Sequence, residues 1–302
     1  MTLRHFLRLG DATRQELEQI IVSAINARQR PGGHSSEIAK GKTLALIFDK
    51  SSTRTRVSFS VGFSQLGGSS MFLSGQDLQL GRGEPLEDTA RVISSMVDMV
   101  VLRTGAHERL ESFARCSRVP VINGLTDNHH PCQLLADIMT YMELRGAISG
   151  KRVAFIGDGS NNLCSSYHEA AHIFDFELVV ASPATFAPRE DSSWLRVTRD
   201  PQEAATGADL IVTDVWVSMG DEASREQRLK ALAPYQVTSS LLDLGNNPLF
   251  LHCLPAHRGE EVGEGVLEDP RSGVWHASTN RLHVQKMLME FLLTCLADEQ
   301  PA

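Results

Sequence analysis

Ser51, Ser52, Thr53 and Thr55, interleaved with Arg54 and Arg56, follow the apolar run Thr43-Leu44-Ala45-Leu46-Ile47-Phe48 with only Asp49 and Lys50 between. Four hydroxyls and two guanidiniums at the end of a buried-type strand form a cradle for an anion. A helix starting there would add unpaired N–H groups and its positive dipole end. Arg103 closes a second apolar run, Met99-Val100-Val101-Leu102, at the strand edge where open α/β sheets bind ligands. Leu210-Ile211-Val212-Thr213 delivers Asp214 to a similar edge, where an acid suits a ligand amine, and Pro248-Leu249-Phe250-Leu251 delivers His252-Cys253-Leu254-Pro255. The pair His252-Cys253 lacks metal-ligand spacing, and a lone cysteine is most often a small core residue. Gly157-Asp158-Gly159 begins like a dinucleotide fingerprint. However, Asn162 stands where the third glycine belongs, and Ala181-Ser182 after the next strand offers no ribose-binding acid, so a nicotinamide cofactor is rejected. Ser160, Asn161 and Asn162 serve equally well as ligand contacts or as helix caps.

These residues need rigid elements to hold them. Leu17, Ile20 and Ile21 lie at helical spacing, and Pro31-Gly32-Gly33 ends that helix. Val57, Phe59, Val61 and Phe63 alternate as in a strand, while Val57, Val61, Phe63 and Leu66 also fit a helix; Gly67-Gly68 makes a helix C-cap, so a helix is expected. A short strand at Met71-Phe72-Leu73 leads into a glycine-rich polar loop from Ser74 to Glu84. A helix from Pro85 to Met96, the strand ending at Arg103 and a strand at Val119–Gly124 follow. Asp127-Asn128-His129-His130-Pro131-Cys132-Gln133 opens a helix with Pro131 in its first turn. The polar Ser149-Gly150-Lys151 is a candidate domain boundary. Beyond it, strands at Arg152–Ile156 and Leu178–Val180 flank a helix running to Ile173, and a last helix is expected after Thr279-Asn280-Arg281. Strands alternating with helices imply parallel sheets joined by right-handed crossovers.

Composition narrows the class. A chain of 302 residues, 42% hydrophobic, is long for one core and predicts two domains. A net charge of -8 lacks the basic excess of a nucleic-acid binder. Five widely spaced cysteines without a C-x-x-C point to a reducing, cytoplasmic compartment. The N-terminus is too charged for a signal-peptide core, and no apolar run approaches membrane-spanning length.

Ser52-Thr53-Arg54-Thr55, Arg103, His130-Pro131-Cys132-Gln133, Asp214 with Ser218-Met219-Gly220, and His252-Cys253-Leu254-Pro255 together resemble, in order and spacing, the ornithine carbamoyltransferases. The resemblance spans nearly the whole chain; the first three features are similar to those of all carbamoyltransferases, the last two to the ornithine-specific half. It implies two doubly wound parallel-sheet α/β domains with a cleft between them. Residues 1–148, joined by a C-terminal helix at about 282–298 that packs back, would bind carbamoyl phosphate; residues 149–281 would bind L-ornithine. It further implies that Ser52, Thr53, Arg54 and Thr55 hold the phosphate with Arg103, that Gln79 reaches a neighbouring subunit's site, and that His130 and Gln133 hold the carbamoyl group. His130 and Arg103 would face its carbonyl oxygen. Asn161, Asp214, Ser218 and Met219 would take the amino-acid end of ornithine, with Cys253, Leu254 and Arg281 near the attacking amine. Arg103, His130, Asp214 and Cys253 would form the catalytic set, and Arg281 would also lie by carbamoyl phosphate. No cofactor, metal, nucleic acid or membrane is implied; the assembly would be a homotrimer or an assembly of trimers, serving arginine metabolism.

Two departures from the family pattern stand out. Ser160 interrupts the usual Gly-Asp-Gly-Asn-Asn setting, which leaves Asn161 preferred and Asn162 open, and Thr279-Asn280 replaces the usual Glu-Asn before Arg281. Rival readings are a carbamoyltransferase for another amine, such as putrescine or a modified ornithine, and a non-catalytic metabolite-binding paralogue. A diamine has no carboxylate to hold and would not need Ser218-Met219-Gly220. Mere binding would not need Arg54, Arg103 and His130 together.

Overall fold

The computed structural model describes residues 3–30, 34–75, 84–188, 192–217 and 222–297. In chain order these form α1 (Arg14–Gln29), β1 (Thr43–Phe48), α2 (Thr53–Gln65), β2 (Ser69–Ser74), α3 (Leu86–Ser94), β3 (Met99–Arg103), α4 (His107–Cys116), β4 (Val121–Leu125) and α5 (Pro131–Arg145). There follow β5 (Arg152–Ile156), α6 (Asn162–Phe174), β6 (Glu177–Ala181), β7 (Leu195–Thr198), α7 (Pro201–Ala205), β8 (Leu210–Thr213), α8 (Arg225–Leu232), α9 (Ser239–Leu242), β9 (Leu249–His252) and α10 (Val274–Ala297). The chain divides into two compact units, Met1–Met139 with Asn280–Ala302, and Thr140–Thr279. The division falls inside α5 and again inside α10, whereas the polar turn Ser149-Gly150-Lys151 lies between α5 and β5.

The first unit carries a parallel sheet of order β2-β1-β3-β4. Ala45, Ile47, Val100, Leu102, Phe113 and Val121 share its core. Thr13 starts α1 by a reciprocal capping box with Glu16, and Leu17, Ile20 and Ile21 are buried as their spacing requires. The stretch after β1 is helical, and of the four apolar residues that fit its period Phe63 and Leu66 are buried while Val57 and Val61 are not. Thr55, Ser58, Phe59, Gly62 and Phe63 point inward, while Val57 and Val61 are 54% and 40% exposed. Gly62 lies on this buried face against α10: a Cβ there would stand 3.1 Å from Met289 Cε, a tight approach that the methionine tip would have to relieve by a few tenths of an ångström.

The second unit carries a parallel sheet of order β7-β6-β5-β8-β9. Ala154, Ile156, Val179, Ile211, Leu242, Phe250 and Val274 belong to its core. The glycines after β5 have backbone reasons of their own. Gly157 sits at φ 133°, and a Cβ on Gly159 would meet Pro188 Cδ at 2.8 Å.

In both sheets the chain reverses its direction of growth beside the first strand laid down: between β1 and β3 in one, between β5 and β8 in the other. Ligands of open α/β sheets bind at such switch points, outside the carboxyl ends of the strands. The cradle after β1 and Arg103 on β3 flank the first, and Asp158 to Asn161 after β5 and Asp214 after β8 flank the second.

α10 begins at Val274, earlier than expected, so Arg281 lies within the helix rather than before it. Thr279, which looked like a loop residue, turns its hydroxyl back to Trp275 O at 3.1 Å and stays helical. From Asn280 onward α10 belongs to the first unit. Lys286 Nζ donates to His34 O and Gln65 Oε1, both at 2.7 Å, and Glu290 meets His34 at 2.9 Å. The helix α4, the edge strand β7 and the short helices α7 to α9 were not anticipated.

Candidate functional site

Ser52 is the N-cap of α2. Its hydroxyl accepts from Thr55 N–H at 3.4 Å and donates to Thr55 Oγ1 at 3.0 Å, so the chain leaving β1 turns directly into a helix whose positive end starts at Thr53 and Arg54. Arg54 is half-buried here. Arg56 is not part of the cradle, because it projects outward and stacks on the Phe72 ring at 3.9 Å.

Three guanidiniums surround one imidazole in this unit. His130, at the start of α5, is buried, and its pKa is held well below the usual histidine range, first by burial and then by the charges of Arg281, Arg103 and Arg54. Neutral at physiological pH, it can polarise an oxygen without adding charge. Arg281 donates to Gln133 Oε1 and, at 2.8 Å, to Thr55 Oγ1, tying α10, α5 and α2 together. The departure at Thr279-Asn280 is therefore compatible with an oriented Arg281. Asn280 is itself held by Arg28 Nη1 at 2.7 Å. Holding cations near one another away from water is costly, and an anion bound among them would offset that cost. Cys132, between His130 and Gln133, is structural: burial pushes its thiol up to about 12.

In the second unit Asn161 caps α6 through Oδ1, which accepts from Cys164 N–H at 2.8 Å, while its Nδ2 reaches Asp214 Oδ2 at 3.3 Å. It thus caps the helix and faces the acid at once; Asn162 is already in the first turn of α6. Cys253 Sγ donates to Asp214 Oδ1 at 3.0 Å, as does the Val215 N–H at 2.8 Å. Burial raises the Asp214 pKa, against the opposing pull of His252, Cys253 and the Val215 amide. Leu254 adopts φ 57°, a left-handed conformation unfavourable for a branched residue, and precedes a cis peptide to Pro255. His252 Nδ1 accepts the Leu254 N–H at 2.9 Å, and its Nε2 lies 3.3 Å from Glu261 Oε1. Burial pushes the Glu261 carboxyl up, but hydrogen bonds from His252 and the His257 amide outweigh it and leave the pKa lowered. Although the pair His252-Cys253 lacks metal spacing, folding adds Asp214, and ligand atoms of the three lie within 4.8 Å of one another.

Among the expected site residues Ser52, Thr55, Arg54, Arg103, His130, Gln133 and Arg281 gather in the first unit, and Asn161, Asp214, Cys253 and Leu254 in the second. Thr53 begins α2 and is exposed. Gln79, Ser218 and Met219 lie outside the described residues. Sequence reading missed Asp137, Glu261 and the pair Arg228–Asp158. Arg228 Nη1 donates to Asp158 Oδ2 at 2.7 Å and to Trp216 O at 3.3 Å, joining the loops after β5 and β8. Only Asp137 carried a usable signal, an acid one helical turn beyond Gln133.

A cationic cradle at one switch point, and at the other a buried acid bonded to a thiol and an amide, define an α/β protein built for two small molecules, one anionic and one carrying an amine. Comparison with known proteins narrows that class. Residues 4–143 match the aspartate/ornithine carbamoyltransferase carbamoyl-P binding domain, and residues 149–292 match the Asp/Orn binding domain. The chain belongs to the aspartate/ornithine carbamoyltransferase family. It is 55% identical over 302 residues to an ornithine carbamoyltransferase of Psychrobacter arcticus, covering 97% of each chain. The crystal structure of ornithine carbamoyltransferase from Burkholderia thailandensis superimposes with a TM-score of 0.87 at 45% identity, over 96% of this chain and 98% of that one. That of the anabolic ornithine carbamoyltransferase from Campylobacter jejuni gives 0.87 at 39% identity, over 96% and 98%.

Proposed function

We propose that this chain transfers the carbamoyl group of carbamoyl phosphate to the side-chain amine of L-ornithine, releasing L-citrulline and phosphate. The observation that carries the reading is His130, buried beside the charges of Arg281, Arg103 and Arg54, which with burial hold its pKa well below the usual histidine range. Donors of this kind suit a phosphoryl anion and an adjacent carbonyl oxygen on which charge grows as the amine attacks. In this reading Ser52, Thr53, Arg54 and Thr55 hold the phosphate with Arg103; Arg103 and His130 face the carbonyl oxygen; Gln133 and Arg281 bracket the carbamoyl group. A C–N bond forms as the C–O bond to phosphate breaks, the electron pair leaves with the phosphate, and the departing phosphate takes up the remaining proton that the attacking nitrogen must shed to become the citrulline N–H.

Asn161 and Asp214 meet the ornithine, with Ser218 and Met219 in the role implied by the family, and Cys253 and Leu254 lie by its amine. That amine is protonated at neutral pH and must lose a proton before attack. Asp214 fits the acceptor, since burial brings its pKa closer to that of the amine. Likeness to ornithine carbamoyltransferases over nearly the full chain supports ornithine rather than another amine. Likeness to the anabolic Campylobacter jejuni protein supports the direction toward citrulline and arginine.

The same proposal includes a homotrimer or an assembly of trimers in the cytoplasm. Val57, Val61 and Met71, exposed on α2 and on the edge strand β2, give the first unit an apolar surface suited to self-association. The five cysteines form no disulfide, which suits a reducing compartment. The purified protein with carbamoyl phosphate should release citrulline from L-ornithine and not carbamoylate putrescine or aspartate at a comparable rate. Product with putrescine and none with ornithine refutes the substrate assignment.

A further inference from the structure

We propose that Asp137 fixes the polarity of the Gln133 side-chain amide and thereby makes the carbamoyl half of the site select a ligand bearing an N–H donor over one bearing a methyl group. This rests on the function proposed above. Gln133 and Asp137 stand four residues apart on one face of α5, and each is only 1% exposed. An amide has nearly the same shape either way round, so its neighbours decide which end is oxygen. Here they do so from both sides. Arg281 only donates, and a carboxylate only accepts. Gln133 Nε2 donates to Asp137 Oδ1 at 2.9 Å, and Arg281 Nη1 donates to Gln133 Oε1. Arg281 also donates to Thr55 Oγ1 of the cradle helix at 2.8 Å. The amide oxygen is thereby tied through Arg281 to the cradle helix, and the amide nitrogen to Asp137 on α5.

A carbonyl oxygen has two lone pairs, and Arg281 engages one. The other accepts an N–H. Carbamoyl phosphate presents –NH2 where acetyl phosphate, almost the same in shape and charge, presents –CH3. An oxygen locked toward that group favours the first, since a hydrogen bond lost on binding is not replaced by the methyl. Without an acceptor at position 137 the buried amide nitrogen loses its bond to the carboxylate, and with it the contact that fixes that orientation.

The readout is the ratio of the acetyl phosphate inhibition constant to the carbamoyl phosphate KM, a ratio unaffected by any inactive fraction. Asp137→Leu, similar in size and lacking an acceptor, should lower the ratio about tenfold, and Asp137→Asn, which restores an acceptor without charge, should recover most of it. An unchanged ratio in the Leu variant, or an Asn variant as poor as the Leu one, overturns the proposal. Should the Leu variant not fold, Gln133→Glu decides with and without Asp137→Asn. The carboxylate introduced at position 133 faces a repelling carboxylate in the single variant but a donating amide in the double, so the second substitution should lower the raised carbamoyl phosphate KM. No improvement overturns the proposal. A wild-type protein without carbamoyl phosphate turnover overturns the proposed function itself, whereas wild-type turnover with an unchanged Leu ratio overturns the role of Asp137 alone.

Discussion

Asp214→Asn separates the two things this carboxylate does. It is 7% exposed and accepts from Cys253 Sγ at 3.0 Å, Val215 N–H at 2.8 Å and Asn161 Nδ2 at 3.3 Å. Asparagine keeps the shape. The Val215 amide obliges its oxygen to take the place of Oδ1, so its amide nitrogen faces Asn161, whose own oxygen is committed to capping α6. In the role proposed for it Asp214 both bonds ornithine and takes the proton of its amine; the variant weakens the first by about 1.5–3 kcal/mol and abolishes the second, so kcat/KM for ornithine should fall by at least roughly 10- to 100-fold. The carbamoyl phosphate KM should move far less, because that ligand is assigned to the other unit.

Stability should respond with its own sign. Burial raises the Asp214 pKa above its unfolded value. The native state therefore holds the proton more tightly than the unfolded chain, and the associated stability is fully present below the ordinary aspartate range and lost as pH rises through the folded pKa. Asparagine never ionises. The melting temperature of the variant minus that of the wild type should be more positive at pH about 7.5 than in mild acid. A difference flat with pH refutes the buried, destabilised carboxylate, and an unchanged ornithine kcat/KM refutes its contact with substrate.

Arg54→Ala removes a guanidinium proposed to hold the phosphate and should raise the carbamoyl phosphate KM by about 100-fold or more, with inorganic phosphate inhibition weakened in parallel. Arg56→Ala, which removes the stacking on Phe72, should leave that KM within about twofold; equal losses in the two variants refute the division of labour. Arg281→Lys keeps the charge and loses the fork that serves Gln133 and Thr55 together, so carbamoyl phosphate kcat/KM should fall about tenfold. Wild-type kinetics would show that the charge alone suffices. Light scattering of the purified protein should report three copies or a multiple of three, and a monodisperse monomer with full activity refutes the proposed assembly.

Several of the candidate site residues stood out before any fold, because they follow an apolar run. A buried parallel strand ends where its side chains turn polar, and the ligand site of such a sheet lies at those ends. Ser52 to Thr55, Arg103 and Asp214 could be read off in this way, and the motif order sufficed for the family. Local spacing failed where packing decides. Val57 and Val61 fit the helical period as well as Phe59 and Phe63 do, but the phenylalanines are the buried pair, on the side of α2 where Gly62 meets α10. Arg56 has the same composition-level claim on an anion as Arg54, but one faces the cradle and the other a phenyl ring of β2. Arg281 reads as the end of a loop because the cue that it sits inside a helix is a backbone-bonded Thr279, invisible without the turn it closes. By itself, then, the sequence determined the class of fold, the alternation of strand and helix, and which residue types wait at the strand ends. Only the tertiary structure decided which of them meet. Thr55, Gln133 and Arg281 are separated by up to 226 residues of chain, and a buried cation is oriented by acceptors brought to it by packing, whatever their distance in sequence.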